Sequence, residues 1–255
     1  MRLLRPLVTV SGILLAWQAL VWATGVPPFI LPGPLRVAGA LVAQPGLLLH
    51  HAGITLSEIL LGMVLGSLIG MASAMVLAAS RTAQRWLMPL LVVSQALPVF
   101  ALAPLLVLWL GYGMTSKIAM TVLIIYFPVT AAFLDGLRRT EPGWLELART
   151  MDAGPLAILA QIQVPAALPA LASGLRVAAA VAPIGAVIGE WVGSSAGLGY
   201  LMLHANARMQ VDLMFAAVLV LAAMALALFL AIDRGARALV PWQPETAAMQ
   251  SRGDS

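Results

Sequence analysis

The sequence contains no cysteine, and only 9% of its 255 residues are charged, whereas a soluble domain carries about 25%. Without thiols there is no disulfide framework and no thiolate metal site, and the redox compartment cannot be read from cysteine usage. Enzyme signatures are missing as well. There is no H-E-x-x-H and no G-x-x-x-x-G-K-[ST], so zinc-protease and nucleotide-cradling chemistry have no starting point here. His50, His51 and His204 lack metal-ligand spacing and fall in expected loops, the His50-His51 pair as a solvated feature. No metal site and no bound cofactor are expected. What the chain does have is apolar mass: 62% of its residues are hydrophobic, more than a soluble fold of this length can hide from water. A lipid bilayer is the expected solvent.

A membrane-crossing helix needs about 20 mostly apolar residues. Six segments qualify, at roughly Leu7 to Ala23, Ile54 to Ala79, Leu87 to Leu110, Ile118 to Leu134, Leu168 to Val192 and Leu213 to Ile232. The expectation is an all-α membrane protein of six transmembrane helices in a single domain, 1–240, followed by a disordered cytoplasmic tail, 241–255. The cations report topology. Of the 14 Lys and Arg residues, ten lie in alternate connections beginning with the N-terminus: Arg2, Arg5, Arg81, Arg85, Arg138, Arg139, Arg149, Arg234, Arg237 and Arg252. The opposite connections hold three, Arg36, Lys117 and Arg208. This bias puts both termini in the cytoplasm of a bacterial inner membrane. Arg176, the fourteenth, is expected to snorkel from the cytoplasmic end of the fifth span. A net charge of +4 scattered in this way does not indicate nucleic acid. The first segment, with its Val21-Trp22-Ala23 sequence, is read as an uncleaved anchor, because its apolar run is long and Pro27-Pro28 follows.

Two connections stand out. The cytoplasmic loop 135–167 is long enough to engage a partner, and a helix is expected from Pro142 to Ala160, with Pro142 in its first turn and an interruption at Gly154-Pro155. The periplasmic loop Gly193 to Asp212, rich in Gly, Ser, Asn and Ala, is expected to be a docking or gating surface.

Within the spans, Gly62, Gly66 and Gly70, followed by Ala74 and Ala78, form a stripe that lets a neighbouring helix approach closely, in intramolecular packing in preference to a dimer contact. Thr55 and Glu58 fit a capping box at the start of the second span. The third span carries Pro89, Pro98 and Pro104, with Gln95 three residues before the middle one. Proline at membrane depth bends a helix and frees carbonyls where protein or a wet cavity surrounds them, so this span is expected to line a path. Gln95 is read either as a pathway ligand or as packing glue. Pro128 and Pro183 suggest further bends. Glu190 either faces a polar pathway or sits at the interface that Trp191 marks. Arg176, about 21 Å away along the axis, is too far to pair with it. The terminal Arg252-Gly253-Asp254-Ser255 spells an adhesion tetrapeptide, and the expected topology makes that a coincidence.

The long cytoplasmic loop resembles the E-A-A-x3-G-x9-I-x-L-P signature of binding-protein-dependent ABC permeases. It reads Glu146-Leu147-Ala148, then Asp152 at the glycine position, then Ile162-Gln163-Val164-Pro165. Leu147, Asp152 and Val164 replace the usual residues, and the missing glycine puts the local backbone in question, with Gly154 as an alternative source of flexibility. The resemblance extends to Gly174-Leu175-Arg176 and the stretch from Glu190 to Tyr200, including Gly197-Leu198-Gly199-Tyr200. It implies a type I ABC importer permease fold with a cytoplasmic coupling helix between spans four and five. Glu146, Ala148, Asp152, Gly154, Ile162 and Pro165 would then contact a separate ATPase that binds ATP and Mg. The implied assembly is a permease homodimer with two ATPase copies and a periplasmic solute-binding protein, and the chain itself is not an enzyme. Gln95, Pro98, Glu190 and Trp191 are the expected pathway residues.

Within the family the chain is similar to the nitrate, sulfonate and taurine branch. Gly189 to Ser195 and Gln210 to Phe215 are most similar to a subgroup that transports hydroxymethylpyrimidine, a thiamine precursor. A secondary transporter is the rival from another class; it needs midplane coupling-ion carboxylates and usually a repeat, neither of which is found.

Overall fold

A computed structural model describes residues 4–242, with side chains from residue 8 onward. The expected tail, 241–255, falls outside the described residues beyond Trp242, as do Arg2 and the terminal tetrapeptide. Every regular element among the described residues is helical. In chain order they are α1 (Leu4–Thr24), α2 (Pro34–Ala43), α3 (Pro45–Ala79), α4 (Arg81–Ala96), α5 (Val99–Leu110), α6 (Met114–Arg138), α7 (Pro142–Thr150), α8 (Pro155–Ile158), a π turn (Leu159–Gln163), α9 (Val164–Gly193), α10 (Leu198–Ala207) and α11 (Val211–Leu239). Proline opens α2, α3, α7 and α8, where the absent N–H is no loss because first-turn donors have no intrahelical partner. Ser80 caps α4 by accepting the Ala83 N–H at 3.2 Å.

Among the described residues, four helices are long and apolar enough to cross a membrane: α3, the continuous run Pro155–Gly193, α6 and α11. The expected third span is instead two helices, α4 and α5, bent by 100°. The break falls at Leu97 and Pro98 because proline clashes with a preceding helical turn, leaving Leu97 extended. The described part of the first span, Val8–Thr24, is a shorter apolar helix. Helices α6 and α9 continue through Pro128 and Pro183 without interruption.

Helix α6 is the centre, gripped by α3 on one side and α9 on the other. Between helices in lipid the hydrophobic effect supplies little, so close packing has to do the work, and small residues make it possible. On α3, Gly62 faces Thr121, Gly66 faces Ile125 and Gly70 faces Val129. The stripe therefore faces α6 of the same chain. Helix α9 has its own set: Gly174, Gly185 and Gly189 meet Val129, Thr121 and Lys117, and a Cβ on Gly185 would lie 2.6 Å from the Thr121 Cα. Thr130 reinforces the α3 contact by donating to the Gly70 carbonyl at 3.1 Å. Ile59, Met63, Ile125, Val129, Phe133, Ala178 and Ala182 fill the space around these contacts. The other face of α3 leaves Leu60, Leu61, Val64, Leu65 and Leu68 exposed, as lipid allows.

Several expectations about ends and loops are corrected. Helix α3 begins at Pro45, nine residues before the expected start, so Thr55 and Glu58 lie inside a buried helix and form no capping box. His50 and His51 lie on the same helix and His204 on α10, so none is a loop residue, and His51 is buried. The expected surface loop 193–212 contains α10, whose Leu198, Leu201, Met202 and Ala205 are buried with Val37, Leu48, Leu213 and Ala216. Alternating small and apolar residues read as loop, but they also cover one helical face. Arg176 does not project alone. Its Nε donates to Asp233 Oδ1 at 2.6 Å, and Arg237 meets the other oxygen at 2.9 Å, tying α9 to α11.

Candidate functional site

The expected coupling segment forms a short amphipathic helix held at one edge. Helix α7 ends at Thr150, a turn of four residues follows, and Gly154 precedes Pro155 at the start of α8. The turn is a Schellman motif: the Ala153 N–H donates to the Ala148 carbonyl at 3.0 Å and the Asp152 N–H to the Arg149 carbonyl at 3.0 Å. Its C′ residue must be left-handed, a position glycine usually fills. Asp152 takes it with φ +57°, which a short polar side chain tolerates better than most. The backbone that the family's glycine would allow is thus kept with aspartate in place. Gly154, at φ −68° and ψ 157°, does not supply it.

Ala148 is buried and seats α7, whereas Trp144 (52% exposed), Leu147 (62%) and Met151 (74%) stand out from it. With Ile162, Pro165, Gln161, Ala166 and Trp242 they line an apolar groove of about 460 Å³. Glu146 is also exposed. Gln163 Nε2 donates to the Leu137 carbonyl at 3.2 Å, linking this segment to the end of α6. Ala148, Ile162 and Pro165 are therefore brought together at one groove, with Glu146 beside it and Asp152 shaping the turn.

A second cluster lies at the other end of the bundle. His51, Thr55 and Glu58 are spaced i, i+4 and i+7 on α3, so they share one face. Opposite them is Glu190 near the end of α9, 1% exposed like Glu58. Between the two helices sits the N-terminus of α10, whose first N–H groups have no intrahelical acceptor. Side chains satisfy all four. The Gly197 N–H donates to His51 Nδ1 at 2.9 Å and the Leu198 N–H to Thr55 Oγ1 at 2.8 Å. Gly199 and Tyr200 donate to Glu190 Oε2 at 2.5 and 3.2 Å, and Thr55 Oγ1 donates to Glu190 Oε1 at 2.6 Å. Gly197, at φ +113° and ψ 163°, occupies a region almost reserved for glycine. Lys117, 4% exposed, sends its ammonium to the carbonyls of Tyr112 and Gly113 at 2.8 and 3.0 Å.

The expected pathway residues do not converge. Both Glu190 oxygens are occupied by protein donors, and Trp191, half exposed on the same helix, does not share its burial. Gln95 reaches the Leu123 carbonyl on α6 at 3.5 Å, in the manner of packing glue, and Pro98 caps α5 at the break. Sequence reasoning missed His51, Thr55, Glu58 and Lys117 as a cluster. The i, i+4, i+7 spacing on α3 is the signal that would have found the first three, had the helix start been placed at Pro45.

An all-helical bundle with glycine-lined contacts and an exposed amphipathic loop helix is the architecture of an importer permease. Residues 59–243 match the family model described as "Binding-protein-dependent transport system inner membrane component", and the chain belongs to that family. A probable ABC transporter permease protein of Haemophilus influenzae is 58% identical over 91% of this chain and 95% of its own length. The formylaminopyrimidine transport permease protein ThiX of Halalkalibacterium halodurans is 36% identical over 85% of this chain and 87% of its own. The riboflavin transport system permease protein RibX of Chloroflexus aurantiacus is 37% identical over 92% and 89%. Permeases named for aliphatic sulfonates and taurine match at 27–28%, which puts the chain in their branch. Among solved structures, an inward-facing MetNI methionine ABC transporter shares the fold, with a TM-score of 0.66 at 21% identity over 77% of this chain and 98% of that one.

Proposed function

We propose that this chain forms the translocation pathway for a small planar nitrogen heterocycle, a pyrimidine precursor of thiamine, in the inner membrane of a bacterium. Two copies would pair, each seated on one copy of a cytoplasmic ATPase, and a periplasmic binding protein would deliver the solute from outside. The chain would hold neither ATP nor Mg itself. With α1 counted as one crossing and the bent α4–α5 pair as another, the bundle has six spans and both termini inside.

The observation that carries the reading is the surface around α7. It presents Trp144, Leu147 and Met151 to solvent on a helix closed by its Schellman turn, in a segment that Gln163 hydrogen-bonds to the end of α6. A bundle without a nucleotide site needs such a rigid lever if a partner's closure is to move the spans. The solute class rests on the names of the pyrimidine and riboflavin permeases, both of which are more similar to this chain than the sulfonate permeases. Uptake of labelled hydroxymethylpyrimidine, formylaminopyrimidine, riboflavin, taurine and an alkanesulfonate by the complete complex in proteoliposomes tests it. The pyrimidines are expected to be accumulated and to compete with one another; accumulation of taurine alone would overturn the solute assignment.

A further inference from the structure

A cavity of about 480 Å³ lies between α3, α4 and α6 and shares no lining residue with the α7 groove. Its size falls within the roughly 300–1,000 Å³ of small-molecule sites. The walls are apolar, with Ile69, Val76 and Leu77 from α3 and Leu87 and Leu91 from α4. No charged side chain is among the lining residues. An anionic or zwitterionic solute would lose its hydration there and gain no counter-charge.

Three hydroxyls interrupt this lining, those of Ser73, Ser94 and Tyr126. Their own hydrogen bonds decide what each can still offer. Ser94 Oγ donates its one hydrogen to the Leu91 carbonyl at 2.6 Å, so in its contact with Tyr126 the phenol is the donor. The Tyr126 oxygen has thereby spent its hydrogen and keeps capacity only to accept. Ser73 makes no hydrogen bond among the described residues, so its hydroxyl is free to donate. Backbone packing sets the two near each other. Gly70 lets α3 approach the Tyr126 carbonyl, Thr130 fastens that approach by donating to the Gly70 carbonyl at 3.1 Å, and Ser73 lies nearly one turn further along α3. An acyl chain in the cavity would leave the Ser73 hydroxyl and the Tyr126 lone pair without partners. A flat ring carrying an acceptor nitrogen beside an N–H donor satisfies both and lays its faces against the aliphatic walls.

We propose that this cavity is the solute site within the bundle, and that it takes a neutral aminopyrimidine whose amino N–H donates to the Tyr126 oxygen and whose ring nitrogen accepts from the Ser73 hydroxyl. The site rests on the neutral-heterocycle reading above and gives that solute a place among the spans.

Equilibrium binding of a labelled aminopyrimidine to the permease with its ATPase in lipid nanodiscs, with the periplasmic binding protein left out, reads the site directly. Tyr126→Phe is expected to weaken binding about tenfold, the scale of one lost hydrogen bond, and to leave the desamino analogue at its wild-type affinity; a general loosening of the bundle would weaken both alike. Ser73→Ala is expected to weaken the pyrimidine similarly and to spare the analogue with carbon in place of the accepting nitrogen. In the wild-type complex, an aminopyrimidine bearing a diazirine is expected to label residues within 69–77 or 87–94, or Tyr126, and taurine is expected not to compete. Wild-type affinity in Tyr126→Phe overturns the site. So does labelling confined to other segments while pyrimidine uptake is intact, the result if an acyl chain or a second copy fills the cavity; either result leaves the solute reading standing. Uptake of taurine and of none of the pyrimidines overturns both.

Discussion

Glu146→Lys is expected to abolish ATP-driven uptake and to uncouple the partner's ATPase from solute, while the protein still inserts and folds. The residue is exposed on α7, next to the apolar rim formed by Trp144, Leu147 and Met151, so its replacement disturbs no core packing. If α7 docks as proposed, reversing one charge at the edge of that surface should weaken binding of the partner roughly a hundredfold or more. Copurification of the ATPase with the variant and solute-stimulated hydrolysis are the measurements. Normal uptake by the variant would remove α7 from the role proposed for it.

Gly197→Val is expected to prevent α10 from docking at all. Its φ of +113° and ψ of 163° cost a non-glycine residue about 1–3 kcal/mol. A Cβ there would also overlap the Glu190 carboxylate, and forced overpacking adds about 1–3 kcal/mol. Both penalties fall where four N–H groups depend on His51, Thr55 and Glu190 for acceptors, so displacing the turn leaves donors and a buried carboxylate without partners. Thermal unfolding in detergent should show a clear fall in midpoint, and protease should cut between α9 and α11. A wild-type midpoint with intact protection would mean that the cluster does not hold α10.

The bundle was largely legible in the sequence, because spans of about 20 apolar residues are a requirement of the bilayer and not a preference. The glycine stripe at Gly62, Gly66 and Gly70 was legible for the same reason, since close approach requires small residues. The spacing from Glu146 to Pro165 located α7, but not the reason Asp152 can stand where the family has glycine; that depends on a φ value. Helix starts were misplaced where a polar residue occurs inside a buried helix. Thr55 and Glu58 look like a cap until Pro45 is seen to open α3, and the composition of 193–212 looks like a loop until one face of α10 is seen to be buried. The contact of Thr55 with Glu190 was out of reach, because the two are 135 residues apart in numbering and only the packing of α3 against α9 brings them together. A lone carboxylate in a span looks like a ligand site, whereas here its oxygens are taken up by the Thr55 hydroxyl and by backbone donors.

The central claim is that this bundle has no motor of its own and is moved through α7 by an ATP-hydrolysing partner. Solute accumulation in proteoliposomes containing the purified chain, with and without the cognate ATPase and ATP, tests it most directly. The account predicts accumulation only when the ATPase and ATP are both present; concentrative uptake by the chain alone would contradict it.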